Sequence, residues 1–300
     1  MCNMYEKAIN NYEIYQFTKQ KSTNIIKSFN KRFIKLQGGN IMIQYEKATG
    51  EFKLNGKTAI VTGGAGGIGE AAARMYAAKG ADLVLVDIKD TVSDVASAIA
   101  KEYNTRAIGI RCDLTKEGDI EQVVTKAVDT FGEINILANV AGRVDLDNAE
   151  DIDFTLVENQ MNVNAFSVFR LTQKVGRVMI QQKKGGKIVC VTSQADFIAI
   201  DKHVGYTMSK AALVGMIKVL ALEWAEFGIN VNGVAPTVVR TYMGDRAWQG
   251  KVKDDMIEAI PAHRFAEVDE IAAAILFLSC SESNMITGED LVVDGGFTIR

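Results

Sequence analysis

The sequence predicts an α/β fold, a doubly wound and mostly parallel sheet of about seven strands with helices on both faces. Three observations predict it. From residue 52 onward, short runs of branched apolar residues alternate with longer helical stretches, the order expected of a parallel sheet wound with helices. Several of the short runs are continuously apolar, as strands must be when helices cover both of their faces. Glycine gathers where strands hand over to helices, and 26 glycines against two prolines leave few Pro-rich linkers to separate domains. One domain therefore accounts for the regular part of the chain.

The elements follow in order. Strands are expected at 58–62, 82–87, 107–111, 134–138, 187–191, 230–234 and 291–293. Helices fill the intervals near 67–79, 92–103, 117–131, 154–181, 206–226 and 267–279. No internal repeat or low-complexity tract interrupts them. A sheet of this kind binds its ligand beyond the carboxyl ends of its strands.

Composition narrows the function classes. Apolar residues make up 48% of the 300-residue chain and charged residues 24%, enough to fill a sizeable core. A net charge of −3 gives no reason to expect nucleic acid. Four cysteines lie far apart (Cys2, Cys112, Cys190, Cys280), and the two histidines are His203 and His263. That supply assembles neither a disulfide framework nor a metal site, and a reducing cytoplasmic location fits it. No unbroken apolar run approaches the roughly 18 residues of a membrane span.

Residues 1–41 differ from the rest. They hold seven Lys or Arg against two acids, net +5, which leaves −8 on the remainder. They lack the apolar core of a signal peptide, and their single arginine (Arg32) is unlike a transit peptide. Gly38-Gly39-Asn40-Ile41 precedes Met42, and two adjacent glycine codons readily spell a purine-rich ribosome-binding site. Residues 1–41 are thus either translated leader ahead of a true start at Met42 or a weakly structured basic extension. The catalytic domain is expected to be 42–300.

The first strand runs into Thr62-Gly63-Gly64-Ala65-Gly66-Gly67-Ile68-Gly69. Such glycines allow a tight turn and let the backbone approach a pyrophosphate, which the next helix receives at its N-terminus. Alone, a glycine-rich run is weak evidence for a dinucleotide. Asp87, 18 residues past Gly69 at the end of the second strand, strengthens it. Its carboxylate can accept hydrogen bonds from an adenosine ribose and would repel a 2′-phosphate, which favours NAD over NADP. Lys89 speaks the other way, since a nearby cation tolerates a phosphate.

Tyr206 and Lys210 stand four residues apart at the start of a helix and so share a face. A phenol is a poor base at neutral pH, and a neighbouring ammonium is expected to stabilise its phenolate. Tyr-x-x-x-Lys is a weak signal by itself. Ser193 at the end of the preceding strand raises its weight.

With these motifs in place, the chain resembles the short-chain dehydrogenase/reductase family in its single-domain branch, over roughly 52–300. The resemblance rests on an ordered set: Thr62-Gly63…Gly67-Ile68-Gly69, Asp113-Leu114, Asn139-Val140-Ala141-Gly142, Asn164, Ser193, Tyr206…Lys210 and Asp294-Gly295-Gly296. It implies a Rossmann-type fold, NAD as cofactor, no metal, and hydride transfer between nicotinamide and a secondary alcohol or ketone. Carried over position by position, it makes Tyr206 the general acid or base, with Lys210 lowering its pKa and bonding the nicotinamide ribose. Ser193 holds the reacting oxygen and Asn164 anchors a relay water. Gly63, Gly67, Ile68 and Gly69 cradle the cofactor and Asp87 and Asp113-Leu114 meet its adenosine end. Asn139 and Gly142 line its cleft, and Thr241 contacts the carboxamide. One departure stands out: Pro236 is followed by Thr237 where the family has Pro-Gly.

Within the family, Ser193-Gln194-Ala195-Asp196, Asp201…His203 and Pro236-Thr237 with Trp248 following resemble the sugar-alcohol (polyol) dehydrogenases. Gln194, His203 and Trp248 are the expected substrate residues, against the plainer reading of Gln194 and His203 as polar loop residues. A 3-oxoacyl thioester reductase and a catalytically idle dinucleotide-binding protein are the rival readings. The helix at 206–226 is apolar on more than one side (Met208, Leu213, Met216, Leu220, Leu222, Trp224). It needs cover beyond one sheet face, and the resemblance implies a homodimer or homotetramer.

Overall fold

The computed structural model describes residues 46–299; the expected boundary at Met42 and the extension before it lie outside them. Seven strands form one parallel sheet: β1 (Thr58–Thr62), β2 (Asp82–Asp87), β3 (Ala107–Arg111), β4 (Ile136–Asn139), β5 (Gly186–Val191), β6 (Ile229–Pro236) and β7 (Asp290–Val293). Their order is β3-β2-β1-β4-β5-β6-β7, and every neighbouring pair is parallel. From β1 the chain steps outward to β3, then returns to lay β4 on the other side of β1. That reversal is where a doubly wound sheet forms its ligand crevice, beyond the carboxyl ends of β1 and β4.

Side chains alternate across each strand, so a strand covered on both faces is apolar throughout. In β1, Ala59 and Val61 join one apolar layer and Ile60 the other. The first layer is closed by helices α1 (Gly67–Ala78) and α2 (Val92–Tyr103), and by the last long helix, Val268–Ser279. The second is closed by α3 (Glu117–Phe131) and by two long helices flanking β5. Each fully buried Ile, Leu or Val contributes about 1.5–3 kcal/mol, so the sheet is a stiff base for whatever its carboxyl edge holds.

Departures from the expected elements have local causes. β4 begins at Ile136 rather than 134, because the Ile134 N–H donates to the Gln182 side chain (2.9 Å) instead of to a neighbouring strand. The long helix expected over 154–181 is α4 (Phe154–Met161), a π-helical turn (Asn162–Phe166) and α5 (Ser167–Gln182). π-turns inside α-helices recur at functional sites, and this one carries Asn164.

α6 (Val204–Trp224) is long and apolar enough, by length and composition, to cross a membrane, although Lys210 and Lys218 interrupt any apolar run. Its apolar residues have other uses. Leu213, Ile217, Leu220 and Ala221 are buried in the second layer, and Trp224 packs on the backbone of Gly176 in α5. Two helices, α7 (Tyr242–Ala247) and α8 (Gly250–Ala259), stand where no helix is expected, before α9 (Val268–Ser279). Thr241 caps α7 by accepting the Gly244 N–H (3.1 Å). A separate cluster of Val238, Met256, Ile260 and Phe265 anchors this excursion, with Trp248 against it.

Candidate active site

Beyond β1, residues 62–69 pass from strand to helix through a turn that needs glycine. Gly63 and Gly67 adopt left-handed conformations (φ 70° and 53°). A Cβ on Gly69 would stand 2.2 Å from the Gly63 carbonyl oxygen, so only glycine lets the start of α1 press against the loop. No side chain caps α1 at Gly66. Its first N–H groups and the positive end of its dipole thus face the crevice, where an anion is stabilised. Thr62 Oγ1 accepts the N–H groups of Val140 (2.9 Å) and Ala141 (3.1 Å) and ties the turn to the chain leaving β4.

Asp87 ends β2 beside this turn. One carboxylate oxygen accepts the Ala65 N–H (3.0 Å) and the other the Lys89 N–H (3.0 Å). The acid therefore shapes the glycine loop. Lys89 Nζ lies 3.5 Å from where a Gly66 Cβ would stand, which brings a cation over the loop. Asp113, in the loop after β3, has its carboxyl held low, chiefly by the hydrogen bond from the Thr115 hydroxyl (2.7 Å). Leu114 is half-buried against the second apolar layer.

Thr241 roofs the other side: a Cβ on Gly67 would meet Thr241 Cγ2 at 3.3 Å. Thr237 makes no use of a left-handed φ, so the missing glycine does not distort the turn. Its buried hydroxyl has no partner. Asn139 differs from expectation. Its side chain turns inward, donating to Thr172 Oγ1 (3.0 Å), with its oxygen buried and unpartnered. Gly142 does face the cleft, since a Cβ there would lie 3.6 Å from Asn164 Oδ1 and 3.7 Å from Lys210 Nζ.

Ser193, Tyr206, Lys210 and Asn164 come together from three elements. β5 ends at Val191, and Ser193 caps a 3-10 turn, Gln194–Asp196, that follows it. Tyr206 and Lys210 lie one turn apart on α6, and the Ser193 side chain lies near enough to the Tyr206 phenol to oppose the rise in its pKa. Lys210 Nζ donates to the Val191 carbonyl (2.6 Å) and lies 5.7 Å from the centre of the Tyr206 ring. The fully buried Asn164 accepts the Arg143 N–H (2.8 Å) and donates to the Arg143 carbonyl (2.8 Å) and to Ser209 Oγ (2.9 Å). Ser209 Oγ in turn donates to the Tyr206 carbonyl (2.7 Å). The Asn164 side chain is thus a strut between the loop at Arg143 and the helix bearing Tyr206.

Burial dominates the electrostatics of the site. Burial pushes the Tyr206 phenol up to about 12; the Ser193 hydrogen bond opposes this and the charge of Asp196 adds to it. Burial, rather than the Lys210 charge, is the largest cause of this rise. The Lys210 ammonium is engaged with Val191, and burial pushes it down to about 8 against the pull of Asp196, Cys190 and Asp290. A low-dielectric pocket disfavours both charged forms. At neutral pH the phenol keeps its proton, ready to donate to a carbonyl oxygen.

His203 and Trp248 arrive at the same place. Their rings stack at 6.2 Å, and His203 meets Tyr206 edge-on at 6.0 Å. His203 Nδ1 lies 2.6 Å from the Asp201 carbonyl, and burial lowers its pKa. A carbonyl can only accept, so Nδ1 carries the hydrogen and Nε2 is the acceptor. Gln194 is buried with its side-chain oxygen unpartnered. His263 sits apart, exposed near Glu258. Among the described residues no cluster of His, Cys, Asp or Glu could hold a metal. Two carboxyls beside Lys210 escaped the sequence reading: Asp196, quoted only as part of a motif, and Asp290 on β7, for which no local signal exists.

A family model described as Enoyl-(Acyl carrier protein) reductase matches residues 63–298. The chain is a short-chain dehydrogenase/reductase. This short-chain dehydrogenase/reductase is 46% identical over 250 residues to the NAD-dependent glycerol dehydrogenase of Listeria innocua, covering 83% of this chain and 97% of that one. It is 40% identical to the D-threitol dehydrogenase of Mycolicibacterium smegmatis, over 83% and 96% of the two chains. Among solved structures it is similar to a gluconate 5-dehydrogenase from Burkholderia cenocepacia in complex with NADP and tartrate. That likeness has a TM-score of 0.79 at 29% identity, over 83% and 98% of the chains.

Proposed function

We propose that this chain is an NAD-dependent oxidoreductase that moves hydride between nicotinamide and a secondary alcohol or ketone, its substrate a small polyol or the matching ketose. The observation that carries the reading is the convergence of Ser193, Tyr206 and Lys210 beside the open cleft at Gly142. The residues present fit the cofactor: a glycine cradle at an uncapped helix start, an acid at Asp87, and a Gly142 cleft with room that a Cβ would begin to fill. Gly63, Gly67, Ile68 and Gly69 would hold the pyrophosphate. Asp87 and the Asp113-Leu114 loop would take the adenosine, and Gly142, Lys210 and Thr241 the nicotinamide end. When bound, the nicotinamide supplies the carbon that accepts or gives the hydride.

The chain's own groups handle the proton. In oxidation Tyr206, once ionised, takes the hydroxyl proton while Ser193 holds the same oxygen. In reduction the phenol returns that proton to the forming alkoxide. Lys210 lies close enough to favour the phenolate as it forms. Asn164 holds the helix start that presents Tyr206 to Ser193.

The polyol class is supported by relatives named for glycerol and threitol and by the polar approach to Tyr206. His203 Nε2 offers a hydrogen bond there, Trp248 forms an apolar wall, and Gln194, next to Ser193, holds a buried oxygen without a partner. A hydroxyl left unpaired in such a pocket is costly, so each one properly met favours a polyol by about 1–3 kcal/mol over a plain alkanol.

The chain is further proposed to be a cytoplasmic homodimer or homotetramer whose catalytic domain runs from Met42. The apolar side chains of α4, α5 and α6 left exposed (Phe154, Phe169, Met208, Val219, Leu222, the last at 76%) support the association. The test is NAD reduction across four- to six-carbon polyols and glycerol, with a simple secondary alcohol and, in reverse, a β-ketoacyl thioester for comparison, repeated with Tyr206→Phe. A polyol should give the highest kcat/KM. The variant should lose about 10²–10⁴ in kcat while binding NAD as before. Preference for the thioester would overturn the substrate class, and an active variant would overturn the role of Tyr206.

A further inference from the structure

Behind the reacting groups lies a carboxyl that the proposed mechanism does not use. Asp196 closes the 3-10 turn after Ser193. Its Oδ2 accepts the Ser193 backbone N–H (3.1 Å), and Ser193 Oγ reciprocally accepts the Ala195 N–H (3.1 Å). The same Ser193 hydroxyl meets the Tyr206 phenol. The second carboxyl oxygen, Oδ1, is closed off from solvent and meets no donor. A carboxylate with buried, unanswered lone pairs is costly. Burial accordingly pushes this group up to about 7, with the Ser193 N–H and Lys210 opposing and Asp290 adding to the rise.

The charged and titratable neighbours come from four other elements. α6 brings Tyr206 and Lys210. β7 brings Asp290, likewise pushed up by burial, whose Oδ1 accepts the Thr192 hydroxyl (2.6 Å) and whose Oδ2 has no partner. β5 brings the Cys190 thiol, pushed up to about 12 and so neutral. The loop before α6 brings His203, whose lowered pKa keeps it neutral at pH 7 and above. Lys210 is the cation acting on Asp196, Lys218 of α6 adds a second acting on Asp290, and Ser193 adjoins both Asp196 and Tyr206.

We propose that Asp196 is a positioning residue: its carboxyl holds Ser193 in place, and its negative charge sets the pH at which Tyr206 exchanges a proton with the substrate oxygen. The inference rests on Tyr206 being the acid and base of the reaction. Asp196 neither gives nor takes the substrate's proton. Once ionised it disfavours a second negative charge on the phenol, so Tyr206 holds its proton to higher pH and the site is biased towards carbonyl reduction. The same charge holds the proton on Lys210.

The experiment is the pH dependence of kcat/KM for polyol oxidation at saturating NAD, in the unmodified protein, Asp196→Asn and Asp196→Glu. Asparagine retains an acceptor for the Ser193 N–H and removes the charge; glutamate keeps the charge. In Asp196→Asn the acid limb should move to lower pH by on the order of one unit, because without that negative charge Tyr206 and Lys210 each give up a proton more readily. The alkaline limb should move the same way. Asp196→Glu should keep the limbs of the unmodified protein.

A purely structural role would scale kcat/KM down at every pH with the limbs in place, and that result overturns the proposal. So does an alkaline shift. If Asp196→Asn fails to fold, Asp196→Ser, also a neutral acceptor, is held to the same acid shift. Tyr206→Phe assayed alongside separates the two levels. An inactive Tyr206→Phe with unmoved Asp196→Asn limbs sinks only the role of Asp196, whereas an active Tyr206→Phe sinks the reading beneath it.

Discussion

Two glycines of the cofactor cleft should respond in opposite ways to the same added methyl group. At Gly142 the φ angle lies outside the left-handed region and a Cβ would have its nearest contacts at 3.6 Å and 3.7 Å. Alanine fits there without strain. Because it also narrows the unfolded ensemble, Gly142→Ala should leave stability unchanged or raise it by about 0.4–1 kcal/mol. The new methyl nevertheless occupies the space beside Lys210 and Asn164 that the nicotinamide end is proposed to fill, so NAD affinity should fall by at least tenfold, about 1.4 kcal/mol. At Gly69 the Cβ would stand 2.2 Å from the Gly63 carbonyl oxygen and 3.1 Å from that of Thr62. Backbone must move by about an ångström, at a cost of about 1–3 kcal/mol. For a domain of this size each kcal/mol is worth about 2–4 °C in Tm. Thermal unfolding without ligand, paired with NAD titration by calorimetry, reads both quantities. The reasoning fails if Gly142→Ala unfolds several degrees early while binding NAD normally, or if Gly69→Ala melts with the unmodified protein.

Other perturbations follow from the same geometry. Asp87→Asn keeps an acceptor for the Ala65 N–H but loses the charge, so the ratio of kcat/KM for NAD over NADP should shrink; an unchanged ratio would assign the preference elsewhere. Lys89→Ala should weaken NADP more than NAD if its amine over the glycine loop meets a 2′-phosphate, which kinetics with both cofactors would show. Trp248→Ala removes the ring stacked on His203 and should raise KM for polyols by roughly tenfold with little change in NAD affinity, a pattern of lost ground-state binding; an unaltered KM would remove Trp248 from the substrate pocket. Asp196 also makes a stability prediction. Its folded pKa of about 7 lies above the ordinary carboxyl value of 3.8, so between these values the folded state holds a proton that the unfolded state has lost. Its contribution is fully present below the unfolded pKa and is lost as pH rises through about 7. The Tm of Asp196→Asn should therefore gain on that of the unmodified protein between pH 4 and 7, and a constant difference would argue against the buried carboxyl.

Much of the site was legible in the residue order because its chemistry is local. The glycine turn, Asp87 at the end of a strand, and Tyr206 with Lys210 on one helix face each depend on neighbours within a few residues, where spacing alone decides geometry. Periodicity and apolar runs likewise determined the seven strands and the doubly wound class, since a strand packed on both faces must be apolar throughout. Tertiary structure decided what depends on distant partners. Asn139 points inward because Thr172, 33 residues away, offers it an acceptor. The helix at Asn164 opens into a π-turn where its side chain bridges the Arg143 loop and Ser209. Whether Tyr206 is made more or less acidic depended on burial and on Asp196, neither of which the Tyr-x-x-x-Lys spacing expresses. Asp290 reaches Thr192 across 98 residues. Desolvation and long-range charge arise only when the sheet brings such groups together, so the sequence determined which groups do the chemistry and the fold decided how each is tuned.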